Sequence, residues 1–163
     1  PISTFDEDSG SVVKSERMLY APLLSGRAIT FLSDSIKVDL QVRALDQVDL
    51  TELYESIPVI ISERILEFEM PDGKMTRVDP FKTTGDLSSE SWTICSFDLK
   101  DATGAGMRVR FESPVQVKLT KPIRYRPEAP YAASVQVILQ PSMKSGEVQR
   151  MSYHIQSLKS VQE

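Results

Sequence analysis

The sequence predicts an all-β fold: a single-domain β-sandwich of jelly-roll character, with one short helix over about residues 49–57. Three observations carry this expectation. Ile36 to Arg43 alternates apolar and polar residues without a break, the period of a strand with one wet face. Ser91 to Leu119 reads as three strands in a row, joined by two short connections. Turn residues recur at short intervals elsewhere, a rhythm that suits sandwiches and barrels better than helical bundles.

Taken in order, residues 1–19 read as a flexible N-terminal arm. Ser3, Thr4, Asp6, Glu7, Asp8, Ser9, Gly10 and Ser11 are polar, and so little apolar surface does not offset the entropy of ordering. Phe5 and Val12–Val13 are the positions by which such an arm would dock on a neighbouring subunit. Tyr20 and Leu23 match a tyrosine-x-x-leucine sorting or budding signal, a short pattern that also reads as the entry to a strand. Arg27 to Leu32 follows as a strand, and Ser33-Asp34-Ser35 as a turn. In Ile36 to Arg43, Ile36, Val38, Leu40 and Val42 share one face, and Lys37, Asp39, Gln41 and Arg43 the other.

The expected helix rests on Asp49 as its cap, Glu52 at the capping-box position, and Leu50, Leu53, Tyr54 and Ile57 on one face, with Pro58 ending it. Val59 to Met70 fits either period until Pro71-Asp72-Gly73. That turn makes Arg64–Met70 and Met75–Asp79 a hairpin. Asp79 to Ser91 reads as a surface loop. Trp92 to Leu99 carries apolar groups on both faces, which predicts a strand covered on both sides. After the turn Asp101 to Gly106, residues Met107, Val109 and Phe111 face in. Ser113-Pro114 makes a corner, and Val115, Val117 and Leu119 face in again. Lys121 to Tyr131 holds Pro122, Pro127 and Pro130 and reads as an extended loop. Ala133–Gln140 and Val148–Ile155 are the last strands. The domain then spans 20–156, and 157–163 form a tail.

At 163 residues the chain has the length of one domain, and 40% hydrophobic with 26% charged residues argues against wholesale disorder. No apolar run approaches the ~20 residues that span a bilayer as a helix. Cys95 is the single cysteine, so no internal disulfide forms, and the absence of asparagine removes N-glycosylation. Both point to an intracellular setting. The first residue is Pro1 rather than Met, as expected of a trimmed or processed chain.

Chemical motifs are sparse. Metal sites need converging His, Cys, Asp or Glu, and the chain offers one His (His154) and one Cys (Cys95). Cys95 sits in the most apolar strand, where a small buried thiol is expected. Ser11-Val-Val-Lys14 has the spacing of acylating serine enzymes but lacks their companion motifs. Gly104-Ala-Gly106 begins like a phosphate loop, yet no third glycine and no helix follow. Asp98, Asp101 and Glu112, with Asp46 and Asp49, compare with the calcium loops of C2 domains, which gather several aspartates from two connections.

Charge is the strongest signal. Asp39 to Glu90 holds 12 acidic and 5 basic residues, a balance of −7; Met107 to Arg126 holds 6 basic and 1 acidic, a balance of +5, within a chain of net −4. Arg108, Arg110, Lys118, Lys121, Arg124 and Arg126 thus form a candidate basic patch, with Tyr125 and Tyr131 nearby. Such a patch suits an anionic membrane, a nucleic-acid backbone or the acidic half of another copy. The expectation is a non-enzymatic structural protein that self-assembles as a homo-oligomer, a viral capsid- or matrix-type subunit. It would need no cofactor, metal or small-molecule substrate, and would work in the host cytoplasm and the virion. The alternative is an intracellular β-sandwich binding module, C2-like or adaptor, for an anionic membrane or protein partner.

Overall fold

The computed structural model describes residues 2–5, 12–16, 21–81 and 91–160. Among these every regular element is a strand, and none is a helix. In chain order they are β1 (Ile2–Phe5), β2 (Val12–Glu16), β3 (Leu23–Phe31), β4 (Ser35–Ala44), β5 (Val48–Asp49), β6 (Tyr54–Ile60) and β7 (Ile65–Glu69). Then follow β8 (Met75–Val78), β9 (Trp92–Lys100), β10 (Gly106–Leu119), β11 (Ala132–Ile138), β12 (Ser142–Met143) and β13 (Val148–Leu158). Within residues 1–19, β1 and β2 pair antiparallel as a two-stranded sheet of their own.

One large antiparallel sheet dominates, in the order β3-β4-β13-β10-β9-β7-β8, with β11 joined to β10 and β6 joined to β11. The branch exists because β10, 14 residues long, changes partner along its length. Its first half pairs with β13, from Gly106 opposite Leu158 to Phe111 opposite Tyr153. Its last residues pair with β11, from Val117 opposite Val137 to Leu119 opposite Val135. Between the two, the register against β9 slips: Arg110 to Val115 spans five steps while Ser96 to Ile94 spans two. The expected corner at Ser113-Pro114 lies inside this irregularity, where a proline without an N–H can sit without removing a ladder bond.

The two limbs turn their apolar faces to a shared core. Val38, Phe111 and Tyr153 from one limb join Ile57, Val59, Val135 and Val137 from the other in a single cluster around Phe68, Phe97 and Ile94. Phe97 lies 6.5 Å from both Phe68 and Phe111, and Phe111 lies 5.9 Å from Tyr153, so aromatic edges run through the middle. A smaller cluster of Leu40, Val42, Ala44, Val48 and Met143 closes one end, under the two-stranded sheet of β5 and β12. Both faces of β9 are covered: Ile94, Phe97 and Leu99 are buried, and so are Ser96 and Asp98.

The expected helix over 49–57 is a strand. Glu55, Ile57 and Val59 point inward from β6, while Tyr54, Ser56, Pro58 and Ile60 are exposed. The period is two, but a glutamate fills one inward position, so the apolar alternation is broken in the sequence. The helical spacing of Leu50, Leu53, Tyr54 and Ile57 is coincidental. Asp49 accepts a hydrogen bond from the Ser142 hydroxyl, and Glu52 pairs with Lys118; neither caps a helix. Pro58 fits because, among the described residues, β6 pairs only with β11 and its other edge needs no donor.

Gly106 is where β10 leaves the β9–β10 turn. An added Cβ there would lie 1.9 Å from the Leu99 carbonyl oxygen, a backbone atom with no room to yield. Gly106→Ala should therefore cost about 2 kcal/mol or more. Gly26→Ala meets nothing within 4 Å and should be neutral or stabilising. Denaturant midpoints of the two variants, compared with the parent, check this.

Candidate functional site

Among the described residues, no group of three or more His, Cys, Asp or Glu converges as metal ligands would. Cys95 lies in β9 and His154 in β13, with β10 between them, a separation of about 10 Å at normal strand spacing. They do not form a nucleophile pair. The carboxylates compared with calcium loops each have local partners. Asp101 accepts from the Thr103 hydroxyl and from the backbone N–H groups of Thr103 and Ala105, which hold its carboxyl below the usual range. Glu112 lies 3.2 Å from Lys37. Asp46 accepts from the Gln47 backbone N–H. Asp98 is held by Arg108. Ser11 and Tyr20 lie outside the described residues. Leu23 opens β3 opposite Ala44 and packs half-buried on the smaller core cluster.

The six cations of the expected patch do not sit together. Arg108 makes a two-pronged contact with buried Asp98, at 2.6 Å and 2.8 Å, and that hydrogen bonding raises its pKa. Lys100 joins the same carboxylate at 3.5 Å and also reaches Glu67. Arg110 is exposed beside His154 on the outward face. Lys118 stands eight residues further along, up to about 26 Å in extended chain, and pairs with Glu52 at 3.0 Å. Lys121, Arg124 and Arg126 are exposed on the loop from β10 to β11. The pattern thus separates into a half-buried arginine bound to Asp98, a paired lysine, an exposed Arg110 and a basic loop.

Arg27 to Leu32, expected as a strand, falls within β3 apart from its last residue; what the sequence did not show is that β3 lies at an edge of the large sheet. It is nine residues long and, among the described residues, pairs only with β4. Every residue after Leu23 is exposed, on both faces, with Leu24 at 60%, Ile29 at 58% and Phe31 at 78%. Its one charge, Arg27, is tied inward to Glu55 at 2.5 Å. Glu55 is buried and also accepts a 3.2 Å hydrogen bond from the Tyr153 hydroxyl. This triad joins β3, β6 and β13 across the open side of the sheet. A groove of about 610 Å³ runs over the small residues Gly26 and Ala28 on the outward side. A second cleft of about 440 Å³ lies inward, between Leu23, Leu53 and Leu139, with Arg27 and Glu55 at its polar end. The available signal was the composition Leu-Leu-Ser-Gly-Arg-Ala-Ile-Thr-Phe: no proline, no lysine and a single charge along a strand length.

No protein-family model matches the chain, and no curated protein matches it.

Tyr153 gives the triad a measurable signature. Burial first, and the Glu55 carboxylate second, push its hydroxyl from 10.0 up to about 12. Between those values the unfolded chain loses this proton and the folded chain keeps it. Stability from this group is therefore complete below pH 10 and falls as pH rises toward 12, by about 1.4 kcal/mol per pH unit. Tyr153→Phe should be less stable at neutral pH by about 1 kcal/mol for the lost hydrogen bond, and should unfold less steeply in alkali. Denaturant midpoints between pH 9 and pH 11.5 for the two proteins test it; parallel curves would contradict the assignment.

Proposed function

We propose that the protein is a non-enzymatic structural subunit that self-assembles, of the viral capsid or matrix type, with its two limbs stacked as the layers of a β-sandwich. The supporting observation is the β3 edge. A long strand with an edge unpaired among the described residues, apolar ends and a single charge, Arg27, that is neutralised by Glu55 is a template for another strand. The occupant that fits is a second copy of the same chain. Two β3 strands placed antiparallel about Arg27 set Leu23 opposite Phe31 and Ser25 opposite Ile29, so apolar ends meet apolar ends. The Arg27 charges at the centre are each balanced by their own Glu55. This contact is mainly backbone and apolar, unlike an ionic contact through Arg108, whose guanidinium already serves Asp98.

Sedimentation across protein and salt concentration tests the reading. The expected result is a multimer whose mass is little changed by salt. Ile29→Lys with Phe31→Lys adds the guarding charges that β3 lacks, at exposed positions, and should give monomers with unchanged circular dichroism. A parent protein that stays strictly monomeric at high concentration and low salt would overturn self-assembly.

A further inference from the structure

We propose that the end of the domain built from the β10–β11 loop docks on an anionic lipid bilayer. The proposal does not depend on self-assembly, because it concerns a different surface. Ile123 forms a reciprocal backbone bridge with Ala132, with hydrogen bonds of 2.9 Å and 2.8 Å, and Ala132 stands opposite Ile60 in the next strand. In an antiparallel row these side chains share a face. The small Ala132 lies between two isoleucines that remain 53% (Ile60) and 49% (Ile123) exposed. Two residues on, Tyr125 is the most exposed large hydrophobic side chain among the described residues, at 84%.

Cations flank Ile123 and Tyr125 in the loop. Residues 121–131 carry Lys121, Arg124 and Arg126 against one carboxylate, Glu128. Lys121 and Arg126 form no ion pair with a described residue, so their charge faces outward unbalanced. Arg124 braces the loop: it donates to the Pro127 carbonyl at 2.9 Å, and its guanidinium lies 5.0 Å from the Tyr131 ring centre. Phe81 packs edge-on against the same Tyr131 ring at 5.0 Å. Pro122, Pro127 and Pro130 further limit the backbone. The tip is thus held in place before any partner arrives, which lowers the entropy lost on docking.

The mixture of side chains selects the partner. Phosphate backbones would attract the cations and stack on Tyr125, but would leave Ile60 and Ile123 without a purpose. A lipid interface accepts all three classes together: aliphatic groups among the upper acyl chains, an aromatic at headgroup level, and Lys and Arg against anionic headgroups. The remainder of the protein then stays in water, in keeping with a net charge of −4 that gives the chain as a whole no attraction to an anionic surface.

The test is co-sedimentation of the full chain with phosphatidylcholine vesicles, with and without phosphatidylserine, at low and high salt. Binding is expected only to the anionic vesicles and should weaken as salt rises. Lys121→Gln and Arg126→Gln should each reduce it about fivefold, and Ile123→Ser or Tyr125→Ser about tenfold. All four side chains are exposed, and unchanged circular dichroism verifies folding. A single-stranded oligonucleotide should not compete. Absence of binding at low salt, binding indifferent to Ile123→Ser and Tyr125→Ser, or displacement by the oligonucleotide would each overturn the proposal.

Discussion

A strand has two hydrogen-bonding edges, and β10 serves three neighbours with them. That is the constraint on which the fold rests. β9 takes one edge along most of its length. The other edge is divided between β13 and β11, and the division falls at Glu112 to Pro114, where the ladder loses register. If β13 held that second edge to its end, β11 and β6 would have no edge to join. The inward faces of Ile57, Val59, Val135 and Val137 would then lack the partners they meet across the core. Gly106 belongs to the same constraint, because it lets β10 start against the β9 backbone more closely than any side chain permits.

The sequence was most legible where one face is wet and the other dry. β4 alternates in composition and in burial alike, with Val38, Leu40, Val42 and Ala44 inside. The hairpin of β7 and β8 was legible from its turn, where Gly73 takes the left-handed φ of 81°. The helix expected near residue 50 failed for a local reason. An inward Glu55 hides the strand period, and Pro58 looks like a helix stop when it marks an unpaired edge. The partner switch of β10 left only Ser113-Pro114 as a trace, because pairing between distant segments has no local signature. For the same reason the six cations could be found but not placed. Arg108 belongs to Asp98 through strand pairing, not through proximity in sequence.

Buried polar groups here act as fasteners between distant strands. Glu55 has Arg27 and Tyr153 as partners; Asp98 has Arg108 and Lys100; Ser96 donates to Glu69 at 2.5 Å. A buried carboxylate gains little net energy from its partner but becomes costly if the partner departs. Each contact therefore penalises wrong registers more than it stabilises the right one. That matters for a sheet assembled mostly from distant pairings, where neighbouring registers would otherwise differ little in apolar burial.

Pro58 has a consequence for stoichiometry. The large sheet ends in β3, in the four-residue β8 and, on its branch, in β6. A proline sits in mid-strand on β6, and Arg77 is the outward charge of the short β8, so neither offers a run of donors and acceptors to an incoming chain. On the proposed self-assembly, growth through β3 would consume the one suitable edge of the large sheet among the described residues. Joining by that route would halt at a closed pair rather than run on into a fibre, and a larger array would need pairs to join through some other surface.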